Sequence, residues 1–122
     1  IPANLKYTND HGWVMIDGNI ATIGITDFAQ SQLGDIVFVD VQTVGETLSK
    51  SEVFGAIEAV KTVADALMPL TGKIIEFNES LENATESVNK DPYGAGWMVK
   101  VEISDPSEIE SLLDAEAYKA IL

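Results

Sequence analysis

Up to about residue 77 the chain runs in short apolar stretches broken by turn residues, a pattern of strands and not of long helices. "YTNDHGWVMIDGNIATIG" predicts strands near 12–16 and 19–24, joined by a hairpin in which Gly18 takes a positive φ. "TDFAQSQLG" then changes period and predicts a short helix. Thr26 can cap its start, Phe28 and Leu33 can face inward, and Gly34 can supply a left-handed stop. "DIVFVDV" returns to strand and "TVGETLSK" reads as a small loop. Two apolar arms, "SEVFGAIEAV" and "TVADALMPL", flank Lys61; Val60, Val63, Ala64, Ala66 and Met68 are expected to pack on a sheet core while the lysine at the bend points outward. After the break at Pro69 and Gly72, "GKIIEFN" predicts a strand with Ile75 and Phe77 on one face and Ile74 and Glu76 on the other.

From residue 78 the texture changes. "NESLENATESVNKDPYGAG" is polar and reads as loop with a helical turn or two, in which Asn89 is expected to pin the preceding loop through backbone hydrogen bonds. "WMVKVEIS" is the last strand, with Trp97 and Met98 read as core at its entrance. "DPSEIESLLD" carries a helix-start signature: Asp105 as cap, Pro106 at the first helical position and Glu108 at the capping-box position. Ile109, Leu112 and Leu113 form its apolar stripe. Asp114 restarts a second short helix whose apolar face is Tyr118, Ile121 and Leu122.

Composition narrows the possible functions. At 122 residues and 46% hydrophobic content, the chain has the size of one domain with a sizeable core. Its net charge is −13, its seven basic residues are all lysine, and its acid is spread over both halves, as on a solvated surface. Nucleic acid and anionic membranes are therefore poor partners, since both need cationic side chains to neutralise them. The absence of cysteine excludes disulfides, thiolate metal sites and thiol chemistry by the chain's own side chains. No apolar run approaches the roughly 18 residues of a membrane span, and no secretory signal is visible.

Self-contained catalysis has little to work with. His11 is the single histidine, which leaves no histidine metal cluster and makes a Ser-His-Asp arrangement depend on one residue; beside Gly12 and Trp13 it reads as a local hydrogen-bonding group or a groove residue. The carboxylates show no ligand spacing, and neither a dinucleotide nor a phosphate-binding glycine loop is present, so no catalytic and no metal residue is assigned. Lys61 is left. A nucleophilic lysine needs burial or a cationic neighbour, whereas this one has Glu58 and Asp65 near it in sequence. The residues themselves leave two readings, a solubilising turn lysine or an amine presented to an enzyme that converts it to an amide.

At this point the chain resembles the glycine cleavage H-protein family of lipoyl carriers. The resemblance is carried by "LKYTNDHGW", "GITDFAQSQLGDIVFVDVQTVGE", "EAVKT", "MPLTGKIIEFNESL", "VNKDPYGAGWM" and "SDPSEIESLLDAEAYKAIL", in order and over nearly the whole chain. It implies an all-β dominated, barrel-sandwich hybrid fold of lipoyl-domain type. The expected organisation is one carrier domain over 1–122 with a short internal helix and a C-terminal helical extension over about 105–122.

The resemblance further implies lipoic acid in amide linkage on Lys61, within the tract Glu58-Ala59-Val60-Lys61-Thr62. The family motif usually reads E-S-V-K-A, so Ala59 and Thr62 depart from it on a surface expected to be read by the lipoyl-attaching enzyme. Gly12 stands where the family commonly has an acidic residue, and it and His11 are expected near the groove in which the loaded arm rests. The implied partners are a pyridoxal-phosphate glycine decarboxylase, a tetrahydrofolate-dependent aminomethyltransferase, dihydrolipoyl dehydrogenase and lipoyl-attaching enzymes. The reactive sulfurs would belong to the lipoyl group, and no bond-making step falls to the chain's own side chains. The alternatives are a lipoyl relay protein for lipoate assembly or another lipoate-dependent system, and an unmodified H-like binding module. The short N-terminus resembles bacterial, cytoplasmic members; a eukaryotic form would lie in the mitochondrial matrix.

Overall fold

Gly18, at φ +60, turns the chain between β2 (Gly12–Asp17) and β3 (Ile20–Ile25), so that Asp17 faces Ile20 across the hairpin. The computed structural model describes residues 1–122 and extends this hairpin into a six-stranded antiparallel sheet. Its order is β1 (Lys6–Tyr7), β2, β3, β9 (Val99–Ile103), β8 (Gly72–Phe77) and β5 (Thr47–Leu48). A second sheet has β6 (Val53–Ala59) at its centre, paired with β4 (Ile36–Asp40) and β7 (Val63–Leu67). Both sheets send side chains into one core that includes Val14, Ile23, Val39, Ile57, Ile74 and Val101. No helix is long and apolar enough to cross a membrane.

Local signals decide the short helices. The Thr26 hydroxyl accepts from Ala29 N–H at the start of α1 (Asp27–Leu33), and Gly34, at φ +80 and ψ −156, ends it in a region that glycine alone enters readily. After a 3-10 turn at Glu79–Glu82 comes α2 (Glu86–Lys90). Asp114 caps α3 (Ala115–Ala120) through Ala117 N–H.

Several expectations are corrected by longer-range partners. The loop at 43–50 contains β5, because Thr47 and Leu48 find Lys73 and Gly72 of β8. In β8 the alternation breaks at an irregularity between Ile74 and Glu76: Ile74 is buried, Ile75 and Glu76 are both exposed, and Phe77 packs on the core. Asp105 caps a 3-10 helix (Pro106–Ser111) through Ser107 N–H, but no capping box forms, since Glu108 instead accepts from the backbone N–H and hydroxyl of Thr71. Phe28 lies on the surface against His11, and Ile121 and Leu122 are exposed beyond the end of α3. Of the arms flanking Lys61, Ala66 and Met68 are buried while Val60 and Val63 face solvent.

A second apolar cluster joins Leu5, Tyr7 and Trp13 to Ala115 and Tyr118, so α3 seals the sheet at its β1–β2 edge, where the Tyr7 and Tyr118 rings stack 4.7 Å apart. Trp13 lies directly over Gly24 and donates from Nε1 to the Pro92 carbonyl at 2.8 Å; a Cβ on Gly24 would sit 2.6 Å from that same nitrogen. Asn89 pins a segment 53 residues before it, not the loop that precedes it. Its Nδ2 donates to the Gly34 carbonyl (2.8 Å) and to Gln30 Oε1 (2.9 Å), while its Oδ1 accepts from Ile36 N–H (3.0 Å).

Three outcomes follow from this packing. Gly24→Ala drives a methyl into the Trp13 indole and is expected to cost about 1–3 kcal/mol; an unchanged urea midpoint would contradict the contact. Asn89→Ala strips the buried Ile36 N–H of its partner, with an expected loss of about 1–3 kcal/mol and faster amide exchange at Ile36 and Val60. Protection equal to wild type at both amides would show that the segment holds itself. Burial, with smaller contributions from Tyr93 and Tyr118, pushes the Tyr7 phenol from 10.0 up to about 12. The folded chain thus favours the neutral phenol: its contribution to stability is complete below pH 10 and is lost as pH rises towards 12. Urea titrations across that window should show falling stability with a shallower decline in Tyr7→Phe, and parallel profiles would refute the assignment.

Candidate functional site

Strands β6 and β7 converge on a two-residue tip, Val60–Lys61, closed by the hydrogen bond from Ala59 N–H to the Thr62 carbonyl at 2.8 Å. Lys61 and Thr62 are exposed, and Val60 has 75% of its surface open. The chain's two ion pairs, Lys100–Glu76 and Lys119–Glu116, leave the Lys61 ammonium without a carboxylate partner. Its stem passes over the end of α1, where a Cβ on Gly34 would meet Lys61 Cε at 3.5 Å. The tip is tied down from the same side, because Val60 N–H donates to the Asp35 carbonyl at 3.0 Å. Asn89 holds Gly34 and Ile36 on either side of that acceptor, so α2, the α1–β4 connection and the lysine tip form one linked unit.

The other residues of the tract divide by face. Ala59 is 7% exposed and pairs with Ile36 over the core, so its side chain belongs to the interior and not to a surface that a partner reads. Glu58 is half-buried on the outer face, between Phe38 of β4 and Val63 of β7. Gly12 lies well away from the tip in sequence but lines a cleft that β7 also borders through Asp65, Ala66 and Leu67; Asp10 lies on the same cleft. His11 does not line it. At φ +65 its ring turns the other way, packing against Phe28 with ring centres 4.6 Å apart and planes tilted by 45°, and placing Nδ1 2.8 Å from the Tyr118 hydroxyl. That hydroxyl also meets Thr26 Oγ1 at 2.7 Å, and burial raises the Tyr118 phenol above its ordinary pKa. His11 therefore ties the 8–12 segment to α1 and α3.

No group of three His, Cys, Asp or Glu residues is arranged to hold a metal ion. Asp10, and the place of Asp65 on the cleft, are not legible in the sequence because nothing along the chain distinguishes two carboxylates among twenty acidic residues. The relation of Phe38 and Gly34 to Lys61 is not legible either, because it arises from strand register and from backbone crossing. What the arrangement offers chemically is one free primary amine on a fixed tip and, bordered by the far end of β7, an apolar cleft rimmed by acid.

Comparison with known proteins agrees with this arrangement. A family model described as "Glycine cleavage H-protein" matches residues 5–122. The chain is 61% identical over 121 residues to the glycine cleavage system H protein of Bacteroides thetaiotaomicron, covering 99% of this chain and 96% of that protein. It is 52% identical over 120 residues to the one from Symbiobacterium thermophilum, covering 98% and 94%. The crystal structure of a glycine cleavage system H protein from Mycobacterium marinum superposes with a TM-score of 0.89 at 38% identity, covering 98% of this chain and 97% of that one, and carries the same two-sheet lipoyl-domain-like sandwich. The chain therefore belongs to the glycine cleavage H-protein family, and as a member it is a non-catalytic carrier that shuttles intermediates between the enzymes of the glycine cleavage system.

Proposed function

We propose that Lys61 carries lipoate in amide linkage and is the point through which this carrier works. The observation that bears most weight is the placement of an unpaired, exposed amine at the tip of a hairpin whose base is tied to α1, β4 and α2. The residues present suit the group. A four-carbon stem gives reach, and Gly34 places no side chain along it, where a Cβ would lie in van der Waals contact with Lys61 Cε at 3.5 Å.

When bound, the lipoyl group supplies the disulfide and thiol chemistry that a chain without cysteine lacks. The protein's share is placement. The stiff tip keeps the attachment point at the surface, and tethering raises the local concentration of the attached group at each docked enzyme. On this reading the arm rests against the cleft that β7 borders: Ile23, Ile25, Phe54 and Met98 line it with apolar surface, and Asp10 and Asp65 offer carboxylates to an amine-bearing cargo. Gly12 adds no side chain there, which keeps that part of the cleft open.

On this reading the chain serves the pyridoxal-phosphate glycine decarboxylase, the tetrahydrofolate-dependent aminomethyltransferase and dihydrolipoyl dehydrogenase in turn. The reading puts that work in the cytoplasm of a bacterium, or in the mitochondrial matrix of a eukaryote.

Intact mass and peptide mapping of the protein from its native cells test the attachment. The expected result is a lipoyl addition on the Lys61 peptide that disappears in Lys61→Ala, with loss of all glycine cleavage in a reconstituted system. An addition on another lysine, or full activity of Lys61→Ala, would overturn the reading.

A further inference from the structure

Strand β4 departs from regular alternation close to the lysine tip. Ile36 and Val39 point into the core, and regular alternation from Ile36 would turn Phe38 inward. A register irregularity between Ile36 and Phe38 instead sends two consecutive large apolar side chains outward, leaving Val37 54% and Phe38 45% exposed. Bulges of this kind re-aim side chains beside functional sites, and this one lies opposite Ala59 and Glu58, the residues that lead into the lysine tip.

Register then assembles a surface from three strands. Phe38 faces Glu58, and Glu58 faces Val63, so the three lie in one row across the outer side of the sheet; Val63 is 60% exposed. With Val37 and the open Val60 at the tip, four apolar side chains lie near Lys61. The next row on the same face is Asp40–Ala56–Asp65, and Asp35 is exposed where β4 begins. Apart from Lys61, β4, β6, β7 and the tip contain no basic residue.

We infer that this apolar strip with its acidic border is the docking surface for the enzyme that acylates Lys61, and that the enzyme's complementary face is an apolar floor rimmed by lysine or arginine. The inference rests on Lys61 being the attachment point. One geometric argument selects this occupant over the enzymes that act on the finished arm. In acylation the reacting atom is Lys61 Nζ itself: the deprotonated amine attacks the carbonyl of an activated lipoate, the activating group leaves with its bonding electrons, and the amine's proton passes to a base on the enzyme. The body of the carrier must then approach to within one lysine side chain of the active centre, and the strip is what it presents there. Enzymes acting on the dithiolane meet the far end of a longer arm.

The test uses the unmodified full chain, a lipoate–protein ligase, lipoate and ATP, with the lipoyl mass gain at Lys61 as readout. Phe38→Ser and Val37→Ser are expected to raise KM about tenfold each with kcat nearly unchanged, and Phe38→Leu to restore most of the loss. Added salt should raise the KM of the wild type, because the acidic border is screened. Ile75→Ser is the control: it removes an apolar side chain of similar exposure from β8, in the other sheet, and should leave KM as it was. Matching thermal melts establish that the variants are folded. Wild-type KM in both serine variants overturns the docking surface while leaving Lys61 as the attachment point. Normal acylation combined with impaired loading by the glycine decarboxylase also overturns it, by giving the strip to a different enzyme. A wild-type chain that gains no mass at Lys61 overturns the inference together with the attachment it rests on.

Discussion

A carrier that offers one amine to other proteins needs that amine at a fixed place, and in this chain the side-chain amide of Asn89 is what fixes it. A two-residue hairpin tip held by its own closing hydrogen bond would pivot on its strands. Here Val60 N–H is also held by the Asp35 carbonyl, and Asp35 lies between the two backbone groups that Asn89 grips. The same amide reaches Gln30 in α1, so helix, strand and tip share one anchor. Buried hydrogen bonds contribute most through the cost of leaving their groups unpaired, and such a linkage holds position at little enthalpic expense. Flexibility is thereby confined to the lysine stem and whatever it bears.

The limits of sequence reading follow from the same distinction between near and distant partners. Wherever the partner of a polar group lies within four residues, the chain announces it: Thr26 and Asp114 cap α1 and α3, and Gly18 and Gly34 occupy the positive φ values their positions require. Glu108 has the spacing of a capping box, yet Thr71 offers both an N–H and a hydroxyl from 37 residues away and captures the carboxylate. Thr47–Leu48 has no strand signal of its own and is drawn into the sheet by β8. Asn89 was legible as a pin, but its target was not, since nothing near residue 89 encodes the crossing of α1 into β4.

The candidate site divides along the same line. Two apolar arms around a lone lysine foretell an exposed tip, and the structure agrees. Which of its neighbours face outward is a question of register, and a one-residue irregularity reverses the answer for every residue beyond it. Phe38 turns out although alternation turns it in, and Ala59, reasonable from its motif as a contact for partners, turns inward against Ile36. His11 shows a similar division: its place beside Gly12 suggests the cleft, but the left-handed backbone at His11 sends the ring to Tyr118, so that of the two only Gly12 lies on the cleft wall.

Charge and apolar exposure pull a carrier in opposite directions, and their balance here fits a protein that must leave each enzyme as readily as it docks. Each well-packed apolar anchor strengthens an interface and slows release. A net charge of −13 contributes mainly to the rate and orientation of encounter, and it keeps copies of the chain apart. Four exposed apolar side chains beside the tip, with Glu58 among them and Asp35, Asp40 and Asp65 at their border, make a small surface for contact within a large one for steering. A broader apolar face would favour residence with one enzyme over exchange among several. A surface of acid alone would bring the carrier near any basic protein without placing Lys61. The β4 irregularity adds Phe38 to that contact surface and goes no further, because Val39 turns back into the core at the next residue.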